Sequence, residues 1–174
     1  EMNIVKRNVK LKTTVNTSIE RHPVPVLGID YKVKIEYKNI KITELDIEGK
    51  TIKISLPNKY KNIENNKILD LAIDKMYEQI AKVEIERAME EIRILVGFAP
   101  EEFEIKNIPQ LGKCANKKIT INPQVVVYNR KVIDYIVLHQ YCHLKYKSHT
   151  KGFYKLLETY MPDYKKYEAI LLNM

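Results

Sequence analysis

An α+β fold is predicted for this chain, and three observations predict it. The first third alternates apolar and charged residues. The middle runs from Ile63 to Val96 without a glycine or proline. The last third carries an almost wholly apolar stretch, VIDYIVL, just ahead of clustered histidines. A period of two marks half-buried strands, and a long unbroken run with helical drift marks a helix. The expected build is a small mixed or antiparallel sheet, a long backing helix and a helix that bears the histidines. A boundary is expected near residue 60, between a β-rich region (1–60) and an α/β unit (61–174), with one compact domain as the alternative.

Taken in order, VKLKTTV (9–15) is a weak strand candidate. HPVPVLG (22–28) should separate it from the next strand, since Pro23 and Pro25 cannot donate to a ladder. YKVKIEY (31–37), IKITELDI (40–47) and TIKISLP (51–57) read as strands, the last two joined by the short loop EGK with Gly49 free to take a positive φ. The long helix shows a stripe of Leu69, Ile73, Met76, Tyr77, Ile80, Val83, Arg87 and Glu91, with a kink or break expected near Asn65–Asn66. Gly97 and Pro100 stop it. EFEIKNI (102–108) and KKITIN (117–122) are short β stretches, and residues 130–146 form a second helix. Ser148 and Thr150 can cap a third helix running to Tyr160, and Pro162 suits the first turn of a last one.

Composition narrows the class. With 45% apolar and 30% charged residues the chain should fold and not remain disordered. No apolar run reaches the length of a membrane span and no signal-peptide pattern is seen, so a cytoplasmic protein is expected. Cys114 and Cys142 form no CxxC motif and are expected as free thiols. The net charge of +8 favours anionic partners, nucleic acid or nucleotides among them. The lysines are spread along the whole chain, so charge alone is weak support for that role.

Three of the four histidines fall within HQYCHLKYKSH (139–149). His139 and His143 are four apart on a helix, so both imidazoles share a face and can reach one ion. His149 comes after a turn that can bring it back, completing a facial set with the fourth position left for water. HxxxH alone is weak. Here the preceding helix must be buried, and buried histidines without partners are costly, so a metal site is the better explanation. Cys142 points to another face of the helix and reads as packing. Tyr135 and Tyr141 read as core or cleft wall.

A longer pattern surrounds these residues: Asp134-Tyr135 and Val137 before them, then His139, His143, Leu144, His149, Phe153 and Pro162-Asp163-Tyr164, with LGKC (111–114) and a strand upstream. Over about residues 100–165 it resembles the YgjP-like metallopeptidases, a small zincin group related to the SprT-like and WLM proteases. Gly112 and Cys114 match the family's WGSC-like segment, whereas Leu111 and Lys113 depart from it. The resemblance implies a minimal zincin-like unit over 61–174. It also implies one zinc ion on His139, His143 and His149 plus water, and a peptide or protein substrate. Glu158 is the alternative third ligand. Lys118, Ile119, Thr120, Ile121 and Asn122 take the role of the substrate-edge strand, and Tyr146 and Tyr164 are candidates to reach the site as oxyanion or cleft groups.

The family's HExxH places a glutamate after the first ligand as general base. Position 140 holds Gln140, whose amide lacks a basic lone pair. Three readings are open: an inactivating substitution that traps the enzyme intact, which is preferred; a natural metal-binding pseudoenzyme; or catalysis through another base. The functional expectation is a zinc-dependent peptidase in a Glu-to-Gln inactivated form. The alternatives are a metal-dependent nucleotide hydrolase and a non-catalytic, metal-stabilised basic binding protein.

Overall fold

The computed structural model describes residues 19–172, so the strand expected over 9–15 lies outside the described residues. The fold is α+β, with two small mixed sheets and one long helix. The chain divides into two compact units. Among the described residues, one holds Ile19–Val24 and Tyr31–Ala72; the other holds Pro25–Asp30 and Ile73–Leu172.

Four strands dominate the first unit: β1 (Ile19–Val26), β2 (Ile29–Lys38), β3 (Glu44–Glu48) and β4 (Thr51–Pro57), in the order β1-β2-β4-β3. β4 is central, parallel to β2 on one side and antiparallel to β3 on the other. Val33, Ile35, Ile52 and Ile54 are buried at alternate positions, as the period of two requires. Gly49 takes φ 59° in the turn between β3 and β4. Two expectations need correcting. Pro23 and Pro25 do not break β1, because β1 is an edge strand, where a missing N–H need cost no ladder bond. β3 starts at Glu44, four residues later than its alternation suggests.

The long helix α1 (Asn65–Val96) has 32 residues and contributes to both units; at 1.5 Å per residue it is about 48 Å long. It starts where a break was expected and ends on Gly97, whose φ of 78° and N–H bond to the Arg93 carbonyl (3.0 Å) make a left-handed cap. The buried stripe is not the one expected. After Leu69, Ile73, Met76 and Tyr77 it continues through Ala81, Ile85, Ala88 and Ile92, while Val83 is 66% exposed. Small alanines hold the helical period, and Val83 falls between its turns.

The second unit carries a sheet of β5 (Glu102–Ile105), β6 (Gly112–Ala115) and β7 (Lys118–Ile121) in the order β5-β7-β6. β7 is parallel to β5 and antiparallel to β6. A 3-10 turn (Pro123–Val127) leads into α2 (Arg130–His143), and then come α3 (Lys151–Tyr160) and α4 (Tyr164–Leu172). α2 packs on β6, β7, α3 and α4, which buries nearly all of its apolar residues. Its start is fixed twice. The Asn129 side chain accepts from the Val132 N–H (3.1 Å). The β1–β2 hairpin tip also closes on the segment before the helix: Leu27 and Gly28 N–H donate to the carbonyls of Val126 and Val127. Gly28 has φ +80°, and a Cβ there would lie 3.1 Å from the Asn129 Cβ, so the approach requires glycine.

Candidate metal centre

The centre forms where α2 ends. The helix stops at His143, three residues short of the end expected at Tyr146. The N–H groups of Lys145 and Tyr146 both bond back to the Cys142 carbonyl, tightening the last turn. The chain then reverses into α3, whose first turn is capped by the Thr150 hydroxyl accepting from the Phe153 N–H (3.3 Å). This reversal returns His149 to His139.

Three imidazole nitrogens converge. His139 Nε2 lies 3.2 Å from His143 Nε2 and 3.1 Å from His149 Nε2. Ligands held tetrahedrally at about 2.0–2.1 Å from one ion are about 3.3–3.4 Å apart, so the spacing fits a shared metal. Among the described residues these three histidines form the one such group of possible metal ligands. The donor chemistry also fits. His143 Nδ1 lies 2.9 Å from the Tyr146 carbonyl oxygen. A carbonyl can only accept, so the proton is on Nδ1 and the Nε2 lone pair faces the other rings. Burial first, then the neighbouring His143 and His149, push the His139 imidazolium down to about 4. His139 is therefore neutral near pH 7, the form that binds a metal.

Phe153 is the floor of the centre. It is fully buried, and its ring lies 4.9 Å from His139, 4.7 Å from His143 and 4.8 Å from His149, centroid to centroid. An apolar ring against all three imidazoles restricts their rotamers without competing for the ion. Tyr135, one turn before His139, places its hydroxyl 3.4 Å from His139 Nδ1. It is buried, and burial raises its phenol pKa, so it stays protonated beside the ligand. Its spacing of four from His139 was the signal available in the sequence.

Gln140 is buried, at 7% exposure. Its side chain lies against β6 at Gly112, where an added Cβ would sit 2.9 Å from Gln140 Nε2 and 3.0 Å from its Cγ. Glycine at 112 therefore makes room for the side chain at 140, between the histidine helix and the end strand of the sheet. A cleft of about 580 Å³ opens beside His143, bordered by Cys114 and by the β6–β7 turn.

An ion network anchors α2 to α1. Glu84 on α1, almost fully buried, accepts from the Arg130 guanidinium at 2.8–3.1 Å and from Arg87 at 3.2 Å. Arg87 donates onward to Asp134 on α2 (3.0 Å) and to Glu91 (2.9 Å). Arg130 first, with Arg87 behind it, holds the Glu84 carboxyl below its usual range. Tyr141 adds a bond from its hydroxyl to the Met89 carbonyl (3.0 Å). Nothing in the sequence pairs Glu84 with Arg130, 46 positions away.

The other sequence-derived candidates have different places. Glu158 is exposed on α3 and is not in the converging group. Tyr146 contributes its carbonyl to His143, and its ring is seated over Gly152, where a Cβ would lie 2.6 Å from the ring. Tyr164 is buried and stacks on Tyr154. Residues 118–122 cannot be a sheet edge. β7 is the central strand, bonded to β5 and β6 on its two sides, and the edge on the α2 side of the hairpin is β6. Asn122 caps the 3-10 turn by accepting from the Gln124 N–H, and its amide donates to the Ile108 carbonyl (2.7 Å). Cys142 is buried and its thiol is pushed up to about 12, as an inert packing thiol should be.

Three imidazoles from one helix and the loop behind it, on a small α+β scaffold, make a candidate metal site of the metallohydrolase kind. The chain belongs to the YgjP-like metallopeptidase-domain family, whose sequence profile matches residues 3–174. Two solved structures are similar. One is the metallopeptidase zymogen abylysin of Pyrococcus abyssi, at 21% identity and TM-score 0.46, covering 51% of this chain and 92% of that one. The other is the metallopeptidase zymogen jannalysin of Methanocaldococcus jannaschii, at 20% identity and TM-score 0.44, covering 52% and 88%. No curated protein matches the chain. Among the described residues no helix is long and apolar enough to cross a membrane.

Proposed function

We propose that the chain is a zinc-dependent metallopeptidase whose general base is replaced by Gln140, so that it binds metal and substrate but hydrolyses poorly. The observation that carries this reading is the convergence of the His143 and His149 Nε2 atoms on His139 Nε2, at 3.2 and 3.1 Å, next to a residue 140 that lies against β6. His139, His143 and His149 would hold the ion. Zinc in such a site supplies Lewis-acid activation of a water and of the scissile carbonyl.

The protein's own residues supply the rest. The Tyr146 carbonyl sets the tautomer of His143, Phe153 fixes the three rings, and Tyr135 backs His139. A glutamate at 140 would take the proton from the attacking water and pass it to the leaving amine. Glutamine keeps the shape and can hold a water, but cannot accept the proton. The open edge of β6, in place of 118–122, receives the extended substrate by strand addition. The catalytic unit is residues 61–174 with the hairpin tip 25–30, and residues 1–60 are otherwise accessory.

The test is a substrate panel for the zinc-loaded Gln140→Glu variant. End-blocked peptides should be hydrolysed and nucleoside triphosphates should not. Hydrolysis of triphosphates alone would support the nucleotide alternative, and no hydrolysis of either would reject the enzyme reading.

A further inference from the structure

The cleft beside His143 has a charge that the metal site does not explain. Its walls include His143, Cys114, Asn116 and three lysines, Lys117, Lys145 and Lys147; no carboxylate lines it. Lys117 is already paired with Glu101 (2.7 Å). Among the described residues neither Lys145 nor Lys147 has an ion-pair partner, and Lys145 is held with its ammonium 4.5 Å from the centre of the Phe98 ring. Two exposed, unneutralised cations therefore face a concave space that begins at a metal ligand.

The cleft lies where an extended peptide on β6 would run. Gly112 opposes Ile121 and Cys114 opposes Ile119, so these four share the face toward α2. Gly112 meets Gln140 on that face, and Cys114 opens into the cleft. A peptide paired to β6 sends alternate side chains to this face, and those beyond residue 140 in the direction of Cys114 enter the lysine-lined space. We infer that this cleft is a specificity subsite that takes an acidic side chain, Asp or Glu, of a peptide substrate, beside the bond held at the metal. This rests on the metallopeptidase reading. Lys145 and Lys147 are exposed, so each pairing is screened and modest, but two otherwise unpaired ammonium groups together favour a carboxylate over its neutral amide isostere. A simpler role for Lys145 and Lys147 is to offset the negative end of the α2 dipole, and the experiment separates the two.

The chain as it stands, with Gln140 in place, should hold a peptide without consuming it, so binding can be read directly. End-blocked, fluorescently labelled octapeptides are compared by anisotropy in the zinc-loaded protein at about 0.15 M salt. One carries Asp and the other Asn at the same positions. The Asp peptide should bind at least about tenfold more tightly. That preference should collapse in Lys145→Ala/Lys147→Ala and persist in Lys41→Ala/Lys61→Ala, which removes the same charge from positions outside the cleft. The inference is overturned by any of four results: equal binding of the two peptides, no binding of the Asp peptide, a preference that survives the cleft substitutions, or one lost equally in both variants. The last would assign it to net charge. Failure of the underlying reading shows differently, as a chain that takes up no zinc and whose Gln140→Glu variant cleaves no peptide, whichever peptide binds better.

Discussion

The two sheets of this protein are built alike and used differently. In each, a central strand pairs in parallel on one side and forms a hairpin on the other: β4 between β2 and β3, β7 between β5 and β6. Each central strand buries alternate isoleucines completely or nearly so, Ile52 and Ile54 in one, Ile119 and Ile121 in the other. The end strands differ. β3 is acidic, with Glu44, Asp46 and Glu48, and Glu48 is paired across the turn to Lys53 (2.9 Å). β1 carries two prolines. Both ends of that sheet are blunted against pairing, as exposed edges usually are. β6 has no proline and no acid, begins with a glycine, and lies against the helix that carries the histidines. The difference teaches that the sheet module does not make the site. The site comes from which helix covers it and from which edge is left usable.

Substitutions can press on this contrast, from the largest effect down. Gln140→Glu should raise zinc-dependent peptide hydrolysis by about 10²–10⁴, the usual worth of a general base, measured as kcat/KM; no substitution on β3 should do so. Ile54→Ala and Ile119→Ala remove equivalent, fully buried side chains from the two central strands and should each cost about 2–5 kcal/mol in chemical denaturation. Only Ile119→Ala should also weaken zinc binding, because β7 supports α2. A loss of zinc affinity from Ile54→Ala would break the comparison.

Glu84→Gln should destabilise the protein by about 2–3 kcal/mol. That is less than the full cost of breaking a buried pair, because the Arg130 side chain is 61% exposed and can be solvated. The pH dependence has a definite sign. The folded Glu84 carboxyl sits below its unfolded value, so its contribution is present above the unfolded value and is lost as pH falls through the folded one. The unaltered chain should therefore lose more stability than Glu84→Gln on acidification below about pH 4.5. A parallel loss in both would remove Glu84 from the account. Gly112→Ala should have the smallest effect, about 1 kcal/mol in stability, the low end for overpacking, because the nearest atom is the end of the Gln140 side chain. It should leave zinc affinity unchanged but lower the activity of a Gln140→Glu background severalfold by pushing residue 140 off β6. An unaltered kcat would show that the close approach at Gly112 does not position residue 140.

How far the sequence reached depended on whether a feature is local. The histidine pair is an i, i+4 spacing on a strongly apolar helix, and its clustering with His149 is visible within eleven residues. The long helix and its glycine stop are likewise local. β6 was not legible. GKCA has no alternating β-branched residues, and its turn with β7 uses Asn116 and Lys117 at φ 51° and 60° without any glycine to announce it. Missing that strand put β7 at the edge, when it is central. The buried stripe of α1 was misread at Val83 because alanines carry the period there. Pro23 and Pro25 looked like breakers because the edge position that tolerates them is a property of the sheet. The Glu84–Arg130–Arg87–Asp134 network joins residues far apart in sequence, and only the fold makes them neighbours.

The central claim is that His139, His143 and His149 hold one metal ion independently of residue 140. It is tested most directly by titrating the metal-free protein with zinc against a competing chelator, alongside His143→Ala and Gln140→Glu. One zinc per chain should bind to the unaltered chain and to Gln140→Glu with similar affinity, and His143→Ala should weaken binding by at least about a hundredfold, the upper range for even an outer-shell partner of a ligand. Undiminished zinc binding by His143→Ala, or none by the unaltered chain, would contradict the account.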